Sequence, residues 1–137
     1  MQFCCISPKI CDYCNMIKRT DNISQIRELA ASEDGVFTSK QAQSFGISKQ
    51  ALSYACNTEL IERVAHGAYR MGSSIDDGYD TLRAYYKLTA PDKPTHERIK
   101  NFDGVAIIGS TAACLYEIGD FQVSPYYIAS PKRFNSR

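Results

Sequence analysis

From Gly35 to Met71 the chain sets out helix starts, a glycine stop and strand-like runs in an order that few folds accept. Val36 and Phe37 are apolar, and Thr38-Ser39-Lys40-Gln41 follows with the spacing of a capping box. In such a box a hydroxyl at the helix start and a glutamine three residues later satisfy each other's free N–H groups. Ala42 and Phe45 give this short helix an apolar face, and Gly46 is the residue type that ends a helix in the left-handed conformation. Ile47 packs, Ser48 caps, and the pattern predicts a second helix from about Lys49 to Asn57. Ala51, Leu52 and Ala55 share one face of it, while Lys49, Gln50, Ser53, Tyr54 and Asn57 share the other. The first face suits a core; the second carries side chains that reach base edges and phosphates. Leu60 to Val64 then reads as a strand, Ala65-His66-Gly67 as a turn, and Ala68 to Met71 as the returning strand. Two helices at a tight turn followed by a β-ribbon make a winged helix-turn-helix.

That fold assigns roles by position. The second helix enters a major groove N-terminus first, with Lys49, Gln50 and Ser53 nearest that end, Tyr54 and Asn57 behind them, and the capping Ser48 also within the DNA-binding set. Gln50 suits adenine, and Lys49 suits guanine or a phosphate. Thr38, Ser39 and Lys40 fall on flanking phosphates, and Arg63, His66 and Arg70 on the wing side. Two other readings of the same polar face stay open: a solvated helix face, or a winged helix that binds protein.

The net charge of +1 argues for a modest binder, because many DNA-binding domains are strongly basic. Its distribution is more telling. No acidic residue occurs from Gly35 to Thr58, whereas Lys40 and Lys49 lie within that window and Glu28, Glu33, Asp34, Glu59 and Glu62 bracket it. A small positive face on a neutral chain needs dimerisation or a second contact region to bind tightly.

The run Gly35 to Ala42, then Gly46-Ile47-Ser48, then Leu60 to Val64 with Gly67 to Arg70 resembles the N-terminal winged helix of AbiEi-type antitoxins. These are the antitoxin components of type IV toxin–antitoxin systems of bacteria and their mobile elements. The resemblance reaches from residue 22 to 131, through Val105 to Ala113 and Tyr126 to Pro131. It implies a repressor that binds double-stranded DNA at its own promoter. It also implies a nucleotidyltransferase toxin as genetic partner, which the antitoxin need not touch. Such antitoxins continue into a larger C-terminal domain, so the expectation here is DNA binding with a short C-terminal part.

The rest of the chain frames this unit. Residues 1–20 form a cysteine-rich extension without periodicity, expected to lack a fold, and 21–72 form the winged domain, opened by a helix capped at Asp21 or Asn22. That helix carries Ile23, Ile26, Leu29 and Ala30 at helical spacing. Gly72-Ser73-Ser74 reads as a hinge, and 73–137 as a helix from about Asp76 to Leu88 followed by a partial α/β segment. Within that segment Ser110 is the expected cap and Gly119 the end of a helix, and Tyr126 to Ala129 a strand. The expected class is α+β, mainly α: a winged helix-turn-helix with a small α/β appendage. Tyr79, Tyr85 and Tyr86 fit packing against a core or a second copy better than a stacking platform.

Cys4, Cys5, Cys11 and Cys14 provide four thiols within eleven residues, with C-x-x-C spacing at the last two. Three readings are open for them: a reduced leader, a small zinc site, or redox pairing. Adjacency of Cys4 and Cys5 hinders joint chelation, so the expectation is no metal and no cofactor. With two histidines far apart and no phosphate-loop or dinucleotide motif, the chain is not expected to be an enzyme. No apolar run spans a bilayer, and the N-terminus lacks a signal-peptide layout, so a cytoplasmic protein is expected.

Overall fold

The computed structural model describes residues 12 to 135, with side-chain surroundings from residue 18 onward. In chain order the elements are α1 (Asp12–Ser32), β1 (Val36–Thr38), α2 (Ser39–Ser44), α3 (Lys49–Asn57), β2 (Ile61–Ala65) and β3 (Ala68–Met71), then α4 (Asp80–Leu88), α5 (Thr95–Lys100), β4 (Ala106–Ile107), α6 (Gly109–Leu115) and β5 (Ile128–Ala129). The class is α+β, mainly α, as the pattern predicts.

The helix-turn-helix forms where its caps place it. Thr38 Oγ1 accepts from the Gln41 N–H at 3.1 Å, and Gln41 Oε1 accepts from the Thr38 N–H at 2.9 Å, closing the capping box of α2. Gly46, at φ +90°, makes the left-handed turn that a side chain would strain. Ser48 Oγ then accepts from the Ala51 N–H and starts α3.

The wing is larger than a ribbon. β1 pairs antiparallel with β3, Phe37 opposite Tyr69, and the sheet order is β1-β3-β2. Strand alternation splits β1 between two cores. On one side Phe37, Ile61 and Tyr69 pack with Ile26, Leu29 and Ala30 of α1, Ala42 of α2, Ile47, and Leu52 and Ala55 of α3. On the other side Val36 and Ala68 pack with Ala84 of α4, and with half-buried Val64, Ala65 and Leu88. Thus α4 covers the sheet's second face.

Several boundaries differ from the expected ones. The first helix begins at Asp12 rather than at Asp21 or Asn22, because no glycine or proline interrupts residues 12–32 and both polar residues sit mid-helix. Cys14 lies on this helix, whereas Cys4, Cys5 and Cys11 lie outside the described residues. Helix α4 begins at Asp80 rather than Asp76, since the Asp76 and Asp77 carboxylates accept the N–H groups of Gly78 and Tyr79 and hold a turn. Gly72 is a packing glycine, not a hinge: its N–H donates to the Leu60 carbonyl, and a Cβ would run into the Glu59 carbonyl. Ile108, not Ser110, precedes α6, because its N–H still donates to Tyr127 across the β4–β5 ladder. Strand β5 is shorter than expected, since the Tyr127 N–H turns to the buried Thr111 hydroxyl.

A buried polar node joins the later segment to the helix-turn-helix. Glu33 and Lys87 are 3% exposed each and form an ion pair of 2.9 Å. The Glu33 carboxylate also accepts from the Thr95 hydroxyl and N–H and from Gln41 Nε2. Gln41 Nε2 donates in addition to the Lys93 carbonyl, and the Thr38 hydroxyl to that of Pro91. The α2 cap is therefore bonded directly to the loop between α4 and α5. Burial would raise the Glu33 pKa, but Thr95 and Lys87 outweigh it and hold the carboxyl below its ordinary value. Arg98 closes the far side of that loop, with Asp103 at 2.7 Å, the Tyr86 carbonyl at 2.7 Å and the Tyr86 ring beneath its guanidinium.

Candidate nucleic-acid interface

The outward face of α3 is built as its sequence implies. Lys49, Gln50, Ser53, Tyr54 and Asn57 are exposed, while Leu52 and Ala55 are buried against the core. The sheet sets the wing beside this face, leaving a cleft of about 650 Å³ between α3 and the β2–β3 turn. Ser39, Lys49, Ser53, Arg63, His66 and Gly67 line it, together with Leu52, Cys56 and Tyr69. The Ser39 N–H donates to the Gly67 carbonyl at 2.9 Å, so the start of α2 and the wing turn are tied together. Gln50 and Tyr54 lie on the other flank of α3, facing α1.

This surface carries cations whose charge is not balanced locally, as is also true of Arg19 and Arg27 elsewhere among the described residues. Among the described residues, Lys40, Lys49 and Arg63 have no carboxylate at ion-pair distance, whereas Arg70, Arg83, Lys87 and Arg98 are all paired. Arg63 is oriented without being neutralised: its guanidinium lies 5.8 Å from the Tyr69 ring centroid and donates to the Tyr69 hydroxyl. Cys56 beside it is held as the thiol, since burial raises its pKa against a weaker opposing pull from Arg63. The face thus offers cations without an ion-pair partner among the described residues, hydroxyls, and the amides of Gln50 and Asn57.

Two expected contacts belong elsewhere. Thr38 is fully buried, with its hydroxyl spent on the Gln41 N–H and the Pro91 carbonyl, so no phosphate reaches it. Arg70 is on the wing but points away from the cleft, into Glu62 at 2.7 Å, Asp80 at 3.2 Å and Asp76 at 4.0 Å. The period-two alternation of β3 explains it, since Tyr69 faces the cleft and its neighbour must face α4. Ser39, Lys40, Ser48, Arg63 and His66 remain accessible at the positions the sequence assigns. Asp76, Asp77 and Asp80 bring three carboxylate oxygens within 4.8 Å of one another, but Arg70 and Arg83 already supply the balancing charge. Arg83 holds Asp77 down to a pKa of about 2.

One neighbour of the site escaped the sequence pattern. Arg19, on the part of α1 that precedes the expected helix start, lies over Tyr54 with its guanidinium 5.2 Å from the ring centroid. The signal for it was present, since Arg19 precedes Ile26 by seven residues and shares its helical stripe.

Comparison with known proteins agrees with this geometry. The family described as "Transcriptional regulator, AbiEi antitoxin" matches residues 24–72. The match begins within α1 and ends with the glycine after β3, so it covers the winged helix, and the resemblance read from the residues is borne out there. The matched family is regulatory rather than enzymatic. No curated protein and no solved structure matches the chain. No helix among the described residues is long and apolar enough to cross a membrane.

Proposed function

We propose that this chain, whose winged helix matches the AbiEi antitoxin regulators, binds double-stranded DNA at its own promoter and represses transcription there. Helix α3 enters the major groove, with Lys49, Gln50 and Ser53 toward the bases and Tyr54 and Asn57 along its outer flank. Ser39, Lys40 and Ser48 meet phosphates at one edge of the groove, and Arg63 and His66 meet them from the wing. The observation that carries this reading is that Lys49 and Arg63 line the cleft between α3 and the wing with Ser39, Ser53 and His66, and neither has a carboxylate at ion-pair distance among the described residues. A cation left without a partner beside a carboxylate-free helix is suited to a polyanion.

Repression follows from occlusion of the promoter in the cytoplasm, by a dimer or by adjacent copies on repeated half-sites. The operon would pair this antitoxin with a nucleotidyltransferase toxin that it does not contact directly. A reporter fused to the chain's own upstream DNA tests the proposal. Supplying the protein in trans should lower reporter output, and Lys49→Ala together with Gln50→Ala should restore it. Unchanged output with soluble protein present would remove the repressor reading and favour a winged helix that uses this face to bind protein.

A further inference from the structure

We propose that Arg19 of α1 is a second phosphate-backbone contact to duplex DNA, on the flank of α3 opposite the wing. The inference rests on the DNA-binding reading above and extends its footprint to an element that reading does not use.

The geometry repeats one device on both sides of α3. On the wing side Arg63 lies over Tyr69, 5.8 Å from the ring centroid; on the α1 side Arg19 lies over Tyr54, at 5.2 Å. A guanidinium held against an aromatic face keeps its full charge and its outward donors, while the stack limits the conformations it must lose on binding. Neither arginine has a carboxylate at ion-pair distance among the described residues. Both arginines are exposed, as is Tyr54 at 43%.

Arg19 is placed by the core rather than by chance. Arg19, Asn22, Ile23 and Ile26 follow helical spacing, and Ile26, 1% exposed, anchors that stripe in the core shared with α3. Between the two helices lies a cavity of about 230 Å³ lined by Arg19, Asn22, Ser48, Gln50 and Tyr54. Arg19 thus stands beside Ser48 and Gln50, the end of α3 that enters the groove. A backbone strand passing along this flank meets its guanidinium, while Arg63 meets the strand on the other side. Two contact regions are what a chain with a net charge of +1 needs to bind more than weakly.

Binding of the full chain to its own upstream DNA and to scrambled DNA, across a salt series, tests the assignment. Arg19→Ala should weaken binding to both DNAs alike, on the order of tenfold. It should also make the slope of log affinity against log salt shallower by about 1. Arg19→Lys should keep the wild-type slope and lose part of the affinity, because the charge remains and the planar stack is gone. Arg27→Ala is the charge-matched control, since Arg27 lies on the α1 side that faces Ala30, Gly35 and Met71; it should bind as the wild type does. If the wild type binds and Arg19→Ala keeps its affinity and slope, the assignment is overturned and the wing–α3 reading stands. If the wild type binds neither DNA, both fall.

Discussion

Arg63 and Arg70 sit seven residues apart on one wing, and their surroundings separate them completely. Arg63 stacks on Tyr69 with its charge unbalanced, whereas Arg70 is shared among Glu62, Asp76 and Asp80. Arg63→Ala should therefore weaken binding to every DNA sequence and make the salt dependence shallower by about 1 in slope. Arg70→Ala should leave that slope unchanged and instead lower the melting temperature. Gln50→Ala should cost roughly 1–3 kcal/mol on the operator and relax preference at one base pair, read by competition with single-base variants. Glu33 is the residue on which stability turns. Removing it as Glu33→Ala strands the buried Lys87 ammonium and should cost about 3–5 kcal/mol in denaturant unfolding. Because the folded-state pKa of Glu33 lies below its unfolded value, its contribution is complete above about pH 4.3 and fades as pH falls through the folded value. Stability measured from pH 6 to pH 2 should drop in the acid limb, and Glu33→Gln should flatten that drop; an unchanged acid limb would remove the ionised carboxylate from the account.

At the scale of elements, the parts with local causes were legible and those with distant causes were not. Thr38 with Gln41, Gly46, and Ser48 with Ala51 act within three or four residues, so α2, the turn and α3 form where their sequence places them. β1 was invisible as a strand because its three residues show no polar alternation; both of its faces are buried, one by the helices and one by α4. The start of α1 was misplaced because Asp21 and Asn22 read as caps only if the helix is assumed to begin there. The role of α4 depends on Ala84, a small residue with no pattern of its own that meets Val36 and Ala68 across the interface. With Ala84 fully buried, Ala84→Leu should overpack that contact and cost about 1–3 kcal/mol, measured by denaturant unfolding. A neutral outcome would mean that α4 is loosely held and adds little to the wing.

Across the whole molecule, the helix-turn-helix and the later segment share one polar network. Glu33 meets Lys87 across fifty-four residues and Thr95 across sixty-two, separations that no periodicity reveals. These bonds converge on Gln41 and Thr38, the pair that caps α2, so the helix-turn-helix is braced by residues beyond the span matched by the family. A fragment ending at Gly72 should consequently melt well below the full chain, having lost the α4 cover of Val36 and the partner of Glu33; equal melting of the two by circular dichroism would show the later segment to be a passenger. The central claim is that unpaired cations on α3 and the wing bind duplex DNA. The most direct test is the affinity of the full chain for its own upstream DNA across a salt series, with Lys49→Ala and Arg63→Ala alongside. The account predicts tighter binding than to scrambled DNA, a steep loss with salt, and a slope shallower by about 1 for Arg63→Ala. Binding that ignores salt, or that both variants retain in full, would contradict it.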